Sequence, residues 1–233
     1  MNLSNYFEQL LARQNLSTAD MRHLMKQCIL GDLTDAQIAS FLVLMRSKGE
    51  TTEELTAAAQ VLLELAHPIH LGDELVDIVG TGGDGRHTFN ISTVSSFVAS
   101  AAGVKIAKHG NRSVSSSSGS ADVLLTAGIQ LEMSDAALQK CMQEYHLCFL
   151  FAPHFHQALQ KVRSARQQLG IRTFFNLLGP LINPAKPKKQ VVGVYQKQLQ
   201  RSLAEVLVNL GSERLLIITS RDGLDEISFA AET

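Results

Sequence analysis

The chain has 233 residues, 45% hydrophobic and 18% charged, with a net charge of −1. This is the composition of a globular protein with room for one large domain or a small and a medium one, and its balanced charge excludes bulk attraction to nucleic acid or an anionic membrane. Three cysteines without metal spacing, no basic-apolar leader after Met1 and no apolar run approaching about 18 residues predict a cytoplasmic protein with reduced, structural thiols.

The first 66 residues predict four helices. Ser17-Thr18-Ala19-Asp20, Thr34-Asp35-Ala36-Gln37 and Thr51-Thr52-Glu53-Glu54 each place a hydroxyl three residues before an acid or amide, the capping-box pattern of a helix start. Ile38, Leu42 and Met45 recur at helical spacing, and Gly31 and Gly49 fall where helices should stop. This block has no acid pair, metal cluster or phosphate loop, so packing or subunit contact is its expected role. Residues 1–70 are therefore expected to form a helical domain, with His67-Pro68 opening the linker to a second domain over 71–233.

In that second part, short apolar strands alternate with helices. The strands are Leu75 to Val79, Val104 to Ala107, Cys148 to Phe151, Val191 to Tyr195 and Leu215 to Thr219. The helices run from Asn90 to near Ala102, from Ala121, from Asp135 to Tyr145, from Pro153 to about Leu169 and from Gln198 to Leu210. The expected fold is α/β: an N-terminal helical bundle followed by a largely parallel sheet covered by helices on both faces. Ile227-Ser228-Phe229 reads as the beginning of a further strand.

The chemistry falls just beyond strand ends, where open α/β sheets bind ligands. Gly80-Thr81-Gly82-Gly83-Asp84-Gly85 is a turn whose glycines admit positive φ and let backbone N–H groups approach an oxyanion. Its GxGGxG spacing is not the dinucleotide fingerprint, and no Walker lysine follows. Asn90-Ile91-Ser92-Thr93 opens a helix toward that turn, and free N–H groups with the macrodipole favour phosphate there. Lys108-His109-Gly110-Asn111-Arg112 adds cations beside a serine run, Ser115 to Ser118. Arg163, Arg166 and Arg172 offer planar forks for a carboxylate. Asp225-Glu226 is an acid pair after the last strand. His154 and His156 point to different sides of a helix start, so they read as packing or partly exposed residues. No Ser-His-Asp or Cys-His arrangement emerges.

GTGGD, NIST, KHGNR and GSAD, in this order and spacing, resemble the anthranilate phosphoribosyltransferase family. The likeness continues through Leu150 to Pro153, Arg172 to Pro184 and Asp225-Glu226, and covers the N-terminal helices more loosely. It implies transfer of the 5-phosphoribosyl group of 5-phospho-α-D-ribose 1-diphosphate to anthranilate, giving N-(5-phosphoribosyl)anthranilate and diphosphate in tryptophan biosynthesis. By resemblance the donor meets Gly80, Gly83, Asp84 and Thr88, then Asn90, Ile91, Ser92 and Thr93. It also meets Lys108, His109, Gly110, Asn111 and Arg112, with Ser113, Val114, Ser115, Ser116 and Ser120 around the phosphate groups. Many relatives carry lysine where this chain has Ser117, a lost charge that weakens the loop without removing its backbone donors. Anthranilate is expected at Gly80, Asn111 and Arg166, with Arg163 the rival by sequence. Two Mg²⁺ ions are implied, one at Ser92 and one at Asp225-Glu226. No residue is expected to act as a covalent or acid–base catalyst. The implied partners are the two small molecules, a second copy through the helical domain, and the anthranilate synthase glutaminase; nucleic acid and membrane are not among them. The resembling enzymes continue beyond the point matching Thr233, so residues 71–233 read as a C-terminally shortened domain. A pyrimidine-nucleoside-phosphorylase-like enzyme shares the architecture but lacks the KHGNR run in its phosphate loop. A non-catalytic binding module would call for a basic face, which the balanced charge does not supply.

Overall fold

A computed structural model describes residues 2–86, 88–112 and 118–233. Four helices come first: α1 (Leu3–Leu11), α2 (Thr18–Leu30), α3 (Asp35–Lys48) and α4 (Thr52–Leu65). Full capping boxes close α3 at Thr34/Gln37 and α4 at Thr51/Glu54. At α2 the box is half formed. Ser17 Oγ accepts from Asp20 N but donates to Asp20 Oδ2, because the short aspartate turns to the hydroxyl instead of reaching the Ser17 backbone. Gly31 ends α2 in the left-handed conformation, φ 89°.

The rest alternates strands and helices. β1 (Val76–Gly80), α5 (Ile91–Ala101), β2 (Ile106–Gly110), α6 (Ser120–Thr126), α7 (Asp135–Tyr145) and β3 (Leu147–Phe151) lead to α8 (Ala152–Phe155). Then come α9 (Arg163–Leu169), α10 (Phe175–Leu178), β4 (Lys189–Gly193), α11 (Leu199–Asn209) and β5 (Arg214–Ile218). The five strands form one parallel sheet in the order β3-β2-β1-β4-β5. Successive side chains of β3 serve opposite faces: Cys148 and Leu150 pack with Leu138 and Met142, while Phe149 and Phe151 pack with Ala121 and Leu124.

The expected single helix from Pro153 to Leu169 is instead three pieces, α8, a 3₁₀ turn over Gln157–Val162, and α9. The break lies at His156 (φ −119°, ψ 54°), whose ring enters the core to bond the Ile182 carbonyl. His156 is thus buried, and not partly exposed. Ile227-Ser228-Phe229 forms no strand either; Ser220 and Ser228 both donate to Asp222 and tie the segment into a turn.

The helical block does not close on itself. Its core of Met21, Leu24, Phe41 and Leu62 is continuous with Val162, Phe174, Leu178 and Leu203 from beyond the first three strands. Phe41 meets Phe174 edge to face at 5.7 Å.

Candidate functional site

All five strands point their carboxyl ends the same way, and a cleft of about 320 Å³ opens there. A larger cavity of about 540 Å³ lies behind α5, but Phe97, Leu124, Met133 and Phe149 make its lining chiefly apolar. The smaller cleft gathers the hydroxyls, charges and backbone donors, so it is the candidate site.

The glycine turn after β1 forms one wall. Gly82 and Gly83 have φ of 64° and 81°, conformations open to glycine. A Cβ on Gly83 would lie 1.7 Å from Arg172 Nη2, whose guanidinium donates to the Gly83 carbonyl and stacks 4.5 Å from the Tyr195 ring centre. Asp225 closes the turn from the other side, its Oδ2 accepting from Gly82 N at 3.1 Å. Gly193, at the end of β4, leaves room for that segment: a Cβ there would meet the Asp225 carbonyl at 1.7 Å.

The opposite wall is the start of α5 with the end of β2. Ser92 N–H donates to Glu226, and Ser92 Oγ accepts from Lys108 Nζ at 3.2 Å. Asn90 Nδ2 donates to the Gly119 carbonyl, linking this wall to the start of α6. Lys108 is buried, which lowers its ammonium to about 8. His109 donates from Nδ1 to the Gly179 carbonyl, and burial, then His156 beside it, drops it to about 3, so it stays neutral. Burial, reinforced by Asp84, lifts Asp225 to about 6; burial, reinforced by Asp225, lifts Glu226 to about 7.

Crowded carboxylates that resist ionisation are a donor set a divalent cation would relieve. Ser92, Asp84, Asp225 and Glu226 are all hard oxygen donors, which suits Mg²⁺. Among the described residues no three His, Cys, Asp or Glu side chains form a ready metal cage. The set therefore fits an ion that completes its shell with phosphate oxygens and water.

The cleft brings together Gly80, Gly83, Asp84, Thr88, Asn90, Ile91, Ser92, Lys108, His109, Gly110, Asn111, Arg112, Ser120, Asp225 and Glu226. Thr93 stands behind it, donating to Ser120 Oγ at 3.0 Å. Ser113, Val114, Ser115, Ser116 and Ser117 lie outside the described residues. Arg166 is not part of the lining: it sits half-buried, 5.2 Å over the Phe175 ring. Sequence reasoning passed over Asp77, buried in β1 under the cleft, and Tyr195 in its wall; it named Arg172 only as one of three forks for a carboxylate, where the structure sets it in the cleft wall. Asp77 had a legible signal, a lone acid inside an apolar strand; Tyr195 had none.

The helical-bundle model of the glycosyl transferase family matches residues 4–66, and the model of that family's a/b domain matches residues 72–233. The anthranilate phosphoribosyltransferase of Legionella pneumophila (strain Paris) is 63% identical over 227 residues, 97% of this chain and 66% of that protein. That of Cellvibrio japonicus is 50% identical over 100% of this chain and 68% of its own length. The chain thus spans about two thirds of the length of these relatives. The Saccharomyces cerevisiae anthranilate phosphoribosyltransferase in complex with PRPP and Mg superposes with a TM-score of 0.89 at 33% identity, covering 97% of this chain and 68% of that one. The Thermus thermophilus enzyme gives a TM-score of 0.83 at 36% identity over 92% and 68%.

Proposed function

The chain belongs to the glycosyl transferase family, carrying its helical-bundle and a/b domains in order, and from that premise we propose that it transfers a 5-phosphoribosyl group from its 1-diphosphate donor to anthranilate. The observation that carries this reading is the cleft itself. Glycine-turn amides, the α5 N-terminus, the buried Lys108 and the acid pair Asp225-Glu226 line one cleft of about 320 Å³, with Gly82 N–H and Ser92 N–H bonded to the two acids. The match to an enzyme solved with PRPP and Mg supports it.

Anthranilate's arylamine is neutral at pH 7, so its nitrogen lone pair can attack the ribose C1 without a strong base. The C1–O bond to diphosphate breaks as the C1–N bond forms, and the surplus ammonium proton passes to water. The protein's work is positioning and charge stabilisation. Lys108 and the turn amides meet the departing diphosphate, and Asp84, Ser92, Asp225 and Glu226 are the residues that would hold Mg²⁺, two ions in this reading. Bound there, Mg²⁺ would supply Lewis-acid neutralisation of the leaving group. Neutral His109 cannot act as an acid at this pH, in keeping with a site that does not rely on proton transfer. Calorimetry with the donor and with anthranilate, with and without Mg²⁺, tests the assignment: donor binding that is absent, or indifferent to Mg²⁺, overturns it.

Arg166 is assigned to the anthranilate carboxylate. No carboxylate pairs with it among the described residues, and burial already lowers its pKa, so an anionic ring would relieve a desolvated cation. Arg166→Ala is expected to raise the anthranilate KM by the loss of a charge-assisted pair, about 1.5–3 kcal/mol, and to spare donor affinity. The same phenotype from Arg163→Ala or Arg172→Ala, and not from Arg166→Ala, would move the assignment.

Residues 1–70 are proposed as the dimerisation domain of a cytoplasmic homodimer, in which the anthranilate synthase glutaminase is a further partner. The exposed Leu11, Leu30 and Val43 support a subunit contact there. No helix of the described residues is long and apolar enough to cross a membrane. Light scattering is expected to give twice the chain mass, and glutamates at those three positions to halve it. A monomeric wild type rejects the contact.

A further inference from the structure

The ladder between β1 and β2 stops where a parallel pairing would continue, although the two strands stay neighbours in the sheet. Five Cα pairs join β1 to β4 and five join β2 to β3, but β1 and β2 meet in register at Val76↔Ile106 alone. Past that pair, side chains take the backbone groups that the two strands would otherwise offer each other. Asp77 Oδ1 accepts from His109 N at 3.3 Å. Asn183 Nδ2 donates to Asp77 Oδ2 at 2.9 Å and to the Ala107 carbonyl at 2.8 Å. Between these anchors Lys108 sends Nζ back to the Ile78 carbonyl of β1 and to Ser92 Oγ. Asp77, Asn183 and Lys108 are each at most 3% exposed.

Asn183 is itself held from behind. Its Oδ1 accepts from Ala185 N at 3.0 Å. The turn before it is gripped at the Gly179 carbonyl by His109, at Pro180 by Gln190 and at Ile182 by His156. Such a support makes Asn183 a rigid wedge between two strands rather than a loop residue resting on them.

We propose that Asp77 and Asn183 are positioning residues that hold the end of β2 out of its ladder with β1, so that the Ile78 carbonyl is left for Lys108, which presents its ammonium at the floor of the cleft. A closed ladder would give the Ile78 carbonyl a backbone partner and leave Lys108 no seat between the strands. An open one without the clamp would strand a buried amide and carbonyl, which folded chains avoid. The clamp fills both needs with one carboxylate and one amide, and its carboxylate supplies negative charge near a buried cation.

This inference rests on the donor site proposed above, and its test separates the two. Titrations use inorganic diphosphate with Mg²⁺, on wild type and on Asn183→Ala, Asp77→Asn (near-isosteric, in case the first does not fold) and Lys108→Ala. Each clamp substitution is expected to weaken diphosphate binding about tenfold, the loss of one charge-assisted contact, yet to add almost nothing once Lys108 is alanine. A clamp that only stabilises the fold would not lose its effect in that background; undiminished loss there, or unchanged affinity in either single variant, overturns the inference. Wild type that binds neither diphosphate nor the donor overturns the functional reading instead. Amide exchange then decides the clamp alone: residues 107–110 should exchange faster in Asn183→Ala than the rest of the sheet, and unchanged protection there refutes it.

Discussion

Lys108→Ala is expected to weaken donor binding about a hundredfold or more, roughly 3 kcal/mol, while anthranilate affinity changes little. Lys108 is buried, donates to Ser92 Oγ and the Ile78 carbonyl, and is balanced by Asp77 and Glu226. Without it the buried Asp77 beneath the cleft and the half-buried Glu226 in its wall lose their counter-charge, so attraction for a phosphate becomes repulsion. Lys108→Arg should not rescue binding, because a planar fork does not fit a seat shaped for a compact ammonium. Asp84→Ala should weaken the donor through the cation rather than the anion: its carboxylate crowds Asp225 and orders the turn by accepting from Arg86 N at 3.1 Å. Its defect should shrink at high Mg²⁺, whereas that of Lys108→Ala should persist. Donor titrations unchanged by both substitutions would sink the site.

Strand positions, helix starts and the motifs at strand ends were legible because each depends on local rules. Apolar runs, caps and glycine turns are written within a few residues of one another. The register between β1 and β2 was not, since the opening depends on Asn183, distant in sequence from both strands. The break at His156 was hidden for a similar reason: a histidine in a helical pattern gives no sign that its ring will bond Ile182 across the core. Capping chemistry was read correctly at Thr34 and Thr51 and only in part at Ser17, where an aspartate is too short to reach back. Within the site the residues of GTGGD, NIST and KHGNR mostly line one cleft. The Arg172–Tyr195 stack depends on the sheet order, which places β4 beside β1. Nothing in a one-dimensional pattern announces that neighbour.

Glu54→Ala is expected to cost about 3–5 kcal/mol of stability, the range for leaving a buried charge without its partner. As a capping-box residue alone, Glu54 would be worth about 1 kcal/mol. Its surroundings make it more. Oε2 accepts from Thr51 N at 2.9 Å and from Lys48 Nζ at 2.8 Å, and Oε1 accepts from Leu16 N at 2.8 Å. Lys48 in turn donates to Asn15 Oδ1 and the Gly49 carbonyl. One carboxylate therefore ties the α1–α2 loop, the end of α3 and the start of α4. Both side chains of the Lys48–Glu54 pair are at most 2% exposed, so water cannot replace either partner. Glu54→Gln should be milder, since it keeps the shape and one acceptor while turning an N–H₂ toward groups that also donate. Thr34→Ala is the matched control, a solvent-side cap with no buried charge behind it. Urea titrations of the three variants give the comparison directly. A Glu54→Ala midpoint no lower than that of Thr34→Ala would mean that the three junctions hold without their shared carboxylate.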